Sequence, residues 1–409
     1  MPLRYAASIG TGHTPDRSKP EYWEDCTVPW VTASDLSSRH EPFAPLLDTA
    51  QYVSEVGLQH SAAVVHPPGT VMLCRTASVG LFVVTGRAMA TTQAFVTWTP
   101  HDGALDSRYL LYTVAAMAPE WERLAYGSTH KTIYMPDLEG LRIPVPPLDE
   151  QRRITDFLDT ETARLDAMTA ALTLRSRLTT TRTQALRDSL LIPRPISPSG
   201  PDWPLVPLKH VASFFTDGDW IESPFIVDAG IRLIQTGNVG IGAYREQGYR
   251  YVSEDTFREL RCTEVEPRDV LISRLASPAG RACLAPCLPD RMIASVDVAI
   301  FRPTGGLDPA FAVHYMSTSA HLQLADLEAR GTTMQRLSRR QLGDLRLPVP
   351  RLSEQRRLSE YLDDAVWVAG GLIAANDAQL AVLAERRQAL ITAAVTGRLD
   401  VTTARGGLS

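Results

Sequence analysis

From residue 362 to 394 a mostly apolar row steps by alternating fours and threes: Leu362, Val366, Ala369, Ile373, Asn376, Leu380, Leu383, Leu390 and Ala394. Arg387 is the only charged interruption. This spacing brings one stripe of a helix back to the same side every 3.5 residues, the pattern of a coiled-coil seam. An earlier stretch repeats the period more weakly. Leu158, Leu165, Leu172, Thr179 and Leu186 form one row, and Thr162, Thr169, Ser176, Thr183 and Leu190 form another that is mostly small and hydroxylated. Pro146-Pro147 cannot continue a helix backwards, and Asp149 and Ser353 are good N-cap residues. The pattern therefore predicts two long helices, the first running over 149–191 for about 64 Å at 1.5 Å per residue. Gly370-Gly371 in the second costs about 1 kcal/mol per glycine relative to alanine and is a candidate bend. The two helices can pair with each other; alternatively, each docks on its own globular domain.

These helices close two copies of one design, because the sequence repeats. Leu141-Arg142-Ile143-Pro144-Val145-Pro146-Pro147-Leu148-Asp149-Glu150-Gln151-Arg152-Arg153 recurs 204 residues later as Leu345-Arg346-Leu347-Pro348-Val349-Pro350-Arg351-Leu352-Ser353-Glu354-Gln355-Arg356-Arg357. At the same offset Gly127-Ser128-Thr129 becomes Gly331-Thr332-Thr333, and Gln184-Ala185-Leu186 becomes Gln388-Ala389-Leu390. The expected layout is a domain over 1–145, a helix over 146–192, a Pro- and Ser-rich linker over 193–206, a domain over 207–349, a helix over 350–397 and a tail over 398–409. Short β-rich runs mark the globular parts, such as Val71-Met72-Leu73-Cys74-Arg75, Leu81-Phe82-Val83-Val84 and Asp269-Val270-Leu271-Ile272-Ser273-Arg274. A helical stretch is expected from His314 to Ala329. The fold class is α+β: two mixed α/β domains separated by two long antiparallel helices, related by an internal pseudo-two-fold repeat.

Composition narrows the chemistry. A 44% apolar, 21% charged chain of 409 residues is globular. No export signal is expected, nor an apolar run near the ~20 residues that span a bilayer, which points to the cytoplasm. The five cysteines are odd in number and scattered, against a disulfide framework. Cys283-x3-Cys287 has no second ligand pair at zinc-finger spacing. No catalytic motif stands out. Ile9-Gly10-Thr11-Gly12 is too short for a nucleotide loop, and no lysine follows the carboxylates of Pro136-Asp137-Leu138-Glu139. The 41 Lys and Arg against 46 Asp and Glu leave −5, so any nucleic-acid affinity would rest on small basic patches and on a partner's charge. Only Lys19, Lys131 and Lys209 are lysines.

The Pro-x-Pro-x-Leu-x-Glu-Gln run opening a long helix, present twice about 200 residues apart, resembles the conserved regions of type I restriction–modification specificity subunits. Arg387-Gln388-Ala389-Leu390-Ile391-Thr392-Ala393-Ala394-Val395-Thr396-Gly397 is similar to the same family. So are Gly12-His13-Thr14-Pro15, Val28-Pro29-Trp30-Val31 and Ala77-Ser78-Val79-Gly80 in the first domain, and Arg232–Val239 and Asp269–Arg274 in the second. The resemblance implies two target-recognition domains on a helical spacer, each reading one half of a bipartite double-stranded DNA site. It further implies two methyltransferase (modification) subunits clasping the helices and a restriction translocase–nuclease joining them. S-adenosylmethionine would then belong to the methyltransferase, and ATP and Mg to the restriction subunit, with no cofactor, metal or catalytic residue in this chain. The competing readings are a stand-alone methyltransferase or nuclease with degenerate motifs, and a coiled-coil adaptor that has lost target reading.

Candidate DNA contacts follow from polar runs after predicted strands and from amides that pair with adenine edges. They are Arg75, Ser78, Gln93, Thr129 and Lys131 in the first domain, and Gln235, Asn238, Arg274, Ser277, Arg336, Arg339 and Arg340 in the second. Turn chemistry is the other reading of Asn238 beside glycines, and internal pairing that of the arginines. Candidate helix-pairing and partner-docking positions are Leu158, Leu165, Leu172, Leu186, Leu362, Val366, Ile373, Leu380, Leu383 and Leu390. The histidines are read as structural.

Overall fold

The computed structural model describes residues 1–403 except His40, Thr129, Ser277 and 330–334. Its contacts divide into two units: Met1–Leu172 with Ala378–Ser409, and Thr173–Asp377.

In the first unit, β1 (Ala7–Thr11), β2 (Val28–Val31), β3 (Tyr52–Val53), β4 (Val71–Cys74), β5 (Phe82–Val84), β6 (Ala90–Thr91) and β7 (Phe95–Pro100) form two sheets. One is antiparallel, ordered β1-β7-β4-β5; in the other, β2 pairs antiparallel with β3 and parallel with β6. β4 is buried along its whole length, because successive side chains point to opposite faces and both faces are covered. Val71 and Leu73 join the core built with Tyr109, Leu110 and Tyr112, whereas Met72 and Cys74 face Val31, Val83 and Phe95. The helices are α1 (Ala33–Ser37), α2 (Glu55–Gln59), α3 (Ser107–Ala116), α4 (Ala118–Leu124), α5 (Met135–Glu139) and the start of α6 (Leu148–Leu191).

The second unit repeats this plan. It contains β8 (Leu205–Pro207), β9 (Ala212–Asp217), β10 (Ile226–Val227), β11 (Ile231–Ile234), β12 (Tyr251–Val252), α7 (Glu254–Glu259), β13 (Val270–Ser273), β14 (Ala282–Leu284), β15 (Met292–Ala294) and β16 (Val298–Pro303). α8 (Pro309–Met316), α9 (Ser319–Glu328), α10 (Arg339–Asp344), β17 (Arg346–Pro348) and α11 (Leu352–Val395) follow. The sheet β14-β13-β16-β9 matches β5-β4-β7-β1, and β11 pairs antiparallel with β12 and parallel with β15 as β2 does with β3 and β6. Val270 and Ile272 face the helix-covered core, and Leu271 faces the opposite one. The α+β class and the long helices match expectation. The stretch read as helical from His314 is two helices, because the Thr318 hydroxyl accepts from His321 N and starts α9 afresh.

Both long helices begin one residue before their expected caps. The Pro147 carbonyl accepts from Glu150 and Gln151, and the Arg351 carbonyl from Glu354 and Gln355. The glutamine of the repeated motif then acts as a clamp. Gln151 Oε1 accepts from Asp106 N at 2.8 Å, while its Nε2 donates to Ala104 O and Pro146 O. Gln355 makes the equivalent bonds to Asp308 N, Gly306 O and Pro350 O. Both glutamines are fully buried.

Within each unit the two helices run antiparallel. In the first, Arg387 makes a bidentate pair with Asp166 at 2.7 and 2.8 Å, which explains the charge interrupting the seam. In the second, buried Asn376 accepts from Arg175 Nε and donates to Ser176 Oγ, each at 2.8 Å. One buried amide in a seam sets its register. The helices also dock on the domains. Leu158 and Ile154 enter the first core together with Ile391, Ala394 and Val395; Leu358 and Leu362 enter the second with Leu191, with Leu186 and Leu190 against it. The two alternatives for the helices therefore both hold, at different points along them. Leu165 is buried, and Leu172, Val366, Ile373, Leu380 and Leu383 are half-buried.

One expectation is corrected. An 18-residue window of α11 has mean hydropathy 1.4 and is only 11% buried, so by length and composition this helix could cross a bilayer. The run 365–384 carries Asp377 as its only charge and is built of alanine and glycine as much as of large aliphatics, which disguises it in the sequence.

Candidate nucleic-acid interface

In the first unit the ends of β1 and β4, the β6–β7 turn and the bridged Tyr126 and Thr132 converge. Gly12 makes this possible: a Cβ there would collide with the Thr91 and Thr92 carbonyls. Arg75 is the hub. Its backbone N donates to Ala94 O, and its guanidinium donates to Gln93 O at 2.9 Å and Ile133 O at 3.3 Å. Thr76 bridges Thr132, and Ala77 N donates to Lys131 O. Around this hub stand exposed Ser78, Gln93 and Lys131, the Thr14 hydroxyl donating to Gln93 Oε1 at 2.7 Å, and the exposed rings of Tyr126 and Tyr134. The fold thus gathers Arg75, Ser78, Gln93 and Lys131. Thr129 lies outside the described residues.

The second unit has the same frame. Gly218 packs against the Ala294 and Ser295 carbonyls, and Arg274 repeats Arg75. Arg274 N donates to Asp297 O, Nε to Leu337 O at 2.8 Å and Nη1 to Val296 O at 3.2 Å. It also pairs with Asp217 at 2.8 Å. Burial pushes its pKa down and Asp217 offsets that shift. Both arginines hold strands together, so neither presents a free fork to a base edge as the sequence reading expected, and the buried Arg274 presents none at all.

Asn238 is likewise framework. It is buried, its Oδ1 accepts from Gln235 N at 2.9 Å, and its Nδ2 donates to Arg245 O and Gln247 O. The turn reading describes it. Gln235 is half-buried beside it. Arg336 pairs with Asp297 at 2.7 Å, whereas Arg339 and Arg340 are exposed in the first turn of α10 with no carboxylate at ion-pair distance among the described residues. Ser277 lies outside those residues. The structure adds Arg281, which ties the Leu275 and Pro278 carbonyls to those of Thr236 and Val239. It also adds exposed Trp220 and the exposed loop from Arg245 to Arg250. Arg245-Glu246-Gln247-Gly248-Tyr249-Arg250-Tyr251, basic residues interleaved with aromatics, was the signal available for that loop.

Residues 7–173 match the family model described as the type I restriction modification DNA specificity domain. In this stretch the chain is similar to type I restriction–modification specificity subunits. It is 25% identical over 157 residues to the type I restriction enzyme MjaIX specificity subunit of Methanocaldococcus jannaschii, covering 38% of this chain and 36% of that one. Over 172 residues it is 25% identical to the EcoR124I/EcoR124II specificity subunit of Escherichia coli, covering 40% and 39%. These matches span little more than a third of the specificity subunits' own length. Among solved structures, a chain from work on complex assembly and conformational transition of the type I R-M system superposes with TM-score 0.75 at 19% identity, covering 98% of this chain and 97% of that one. The HsdS subunit from Thermoanaerobacter tengcongensis gives 0.51 at 19% identity, covering 98% and 96%. The likeness in fold to specificity subunits therefore extends over the whole chain.

Proposed function

We propose that this chain is the sequence-reading subunit of a cytoplasmic type I restriction–modification complex. Each globular domain reads one half of a bipartite duplex target, while the paired helices fix the gap and dock methyltransferase subunits. The observation that carries this reading is the contrast between frame and rim. Arg75 and Arg274, like Gln151 and Gln355, hold one scaffold built twice, whereas most exposed residues around it differ between copies, such as Gln93 and Lys131 in one and Arg339 and Arg340 in the other. A pair of unlike readers on one scaffold suits two unlike half-sites. The reading residues in this proposal are Ser78, Gln93 and Lys131 in the first domain and Gln235, Arg339 and Arg340 in the second. Arg75, Asn238 and Arg274 serve as supports, and Arg336 contributes through its pair with Asp297.

The proposal leaves chemistry to partners. The methyltransferase supplies S-adenosylmethionine, and a restriction subunit supplies ATP- and Mg-dependent translocation and cleavage. α11 offers the docking face, with Trp367 80% exposed and Val368, Leu372 and Tyr361 also open to solvent. In the first unit the helices frame an apolar groove of Met168, Ala171, Leu172, Val382 and Leu383. With a charge of −5, the chain alone is expected to bind DNA weakly and to turn over no S-adenosylmethionine.

The test is to co-express the chain with its methyltransferase and map modified bases genome-wide. A bipartite motif in which replacing residues 1–145 by a relative's domain alters one half only supports the proposal. Methylation or cleavage by the isolated chain, absence of any modified motif, or partition of the chain into membranes overturns it.

A further inference from the structure

The two domains treat the segment after β2 and after β11 in opposite ways. In the first unit it folds back: Phe43 stacks on Tyr112 with centroids 4.5 Å apart, and Arg387 lies over the Phe43 ring at 5.3 Å. In the second unit the segment is held outward. Arg232, almost fully buried, pairs with Glu246 at 3.0 Å, donates to Gln247 O and Gly248 O, and lies against the Tyr249 and Tyr251 rings at 4.8 and 5.5 Å. Asn238 grips the same loop from inside, and Gln247 Nε2 donates to Gly237 O at 2.6 Å. So much internal bonding makes the loop rigid, yet Arg245, Tyr249 and Arg250 stay exposed.

The charges on this loop are unbalanced. Glu246 is consumed by Arg232, and neither Arg245 nor Arg250 has a carboxylate at ion-pair distance among the described residues. Beside Arg245 stands Arg281, half-buried, its guanidinium spent on four backbone carbonyls and, among the described residues, no carboxylate. Arg245 and Arg281 meet at Gly240: a Cβ there would lie 3.0 Å from Arg245 Nε, and Arg281 Nε donates to the adjacent Val239 O. Burial first, and then the neighbouring Arg245 charge, push the Arg281 pKa down. Two like charges set side by side with no counter-charge are costly unless an anion joins them. Among the described residues the first domain has no such pair at the equivalent place: Leu81 precedes β5 where Arg281 precedes β14.

We propose that Arg245 and Arg250, backed by Arg281, form a phosphate-binding patch through which only the second domain grips the DNA backbone beside its half-site. This rests on the DNA-reading function proposed above. The patch adds affinity and register without adding sequence information, because phosphate contacts position and base contacts specify. The two half-sites therefore have unequal backbone footprints.

The experiment uses the full chain copurified with its methyltransferase, on a duplex carrying the motif found in the modified-base map. Wild type is compared with the Arg245→Gln/Arg250→Gln double variant and with Arg123→Gln, whose arginine is exposed and already paired with Glu120. Affinity is measured against salt, and backbone contacts by phosphate-ethylation interference. The double variant is expected to flatten the slope of log K against log salt by about 2, at roughly 0.9 per phosphate lost. Interference should vanish beside the second domain's half-site alone, with the methylated motif unchanged. Arg123→Gln should behave as wild type. An unchanged slope and footprint in the double variant overturns the patch while leaving the DNA-reading function standing. Lack of specific binding by the wild-type complex overturns both.

Discussion

The two domains share a skeleton down to single hydrogen bonds and differ in what they do with the same position. Tyr112 donates to Asp159 at 2.6 Å where His314 contacts Asp363 at 2.9 Å, and Gln388 donates to the Ala115 carbonyl where Gln184 donates to that of Ser317. Arg75 stands half-exposed on two carbonyls; Arg274 is buried and needs Asp217 as well. What is common is whatever ties helix to sheet. What differs lies on the rim, where side chains are free to change without loosening the core.

The largest stability effect should come from the residues that complete the cores. Leu158→Ala and Leu362→Ala each remove a fully buried leucine and are expected to cost about 2–5 kcal/mol. Each should deprotect its own unit in hydrogen exchange and leave the other unchanged; simultaneous loss of both would mean that the units do not behave as separate cooperative bodies. Next comes the arginine pair. Arg274→Ala leaves Asp217 without its partner, and a cost of about 3 kcal/mol is expected, against about 1 kcal/mol for Arg75→Ala. Equal costs in chemical denaturation would show that Asp217 contributes nothing.

Acid should separate the units further. His321, fully buried in α9, has its pKa pushed down by burial to about 4. Its folded value lies below its unfolded value of about 6.5, so between these the unfolded state binds the extra proton. Stability of the second unit is then complete above pH 6.5 and falls toward pH 4 by at most about 1.4 kcal/mol per pH unit from this group. His66 is shifted down by burial in the first unit as well, so the comparison is one of slope. His321→Gln should flatten the slope in the second unit only.

The last prediction has little stability cost. Four residues inserted in α6 near Leu172 add about 6 Å and about one turn. The gap between half-sites in a methylation assay should grow by one or two base pairs, with both half-sites unchanged. Proline at Leu172 should instead cost about 3 kcal/mol and weaken joint reading. An optimum that stays put after the insertion would mean that the helices do not set the distance.

Much of the frame was legible because it is periodic or repeated: the seam from Leu362 to Ala394, the doubled Glu-Gln motif and the short apolar strands need no tertiary knowledge. The rim was not. An arginine after a strand looks the same whether it faces solvent or two distant carbonyls, so the roles of Arg75 and Arg274 depend on Gln93, Ile133, Val296 and Leu337, far along the chain. Asn238 could be read either way. Arg281 carried no local signal at all, since only the folded chain brings four carbonyls around it.

Because α6 begins in one unit and ends in the other, the first core is finished by residues that follow more than 200 positions later in the chain. Ile391, Ala394 and Val395 close over Leu158 and Tyr109, and Tyr109 Oη donates to the Val395 carbonyl. More than 200 residues separate Leu172 from Val395, so at ~5–20 residues per second the ribosome needs roughly 10–45 s to deliver them. Throughout that interval the emerging N-terminal half carries an uncovered apolar surface.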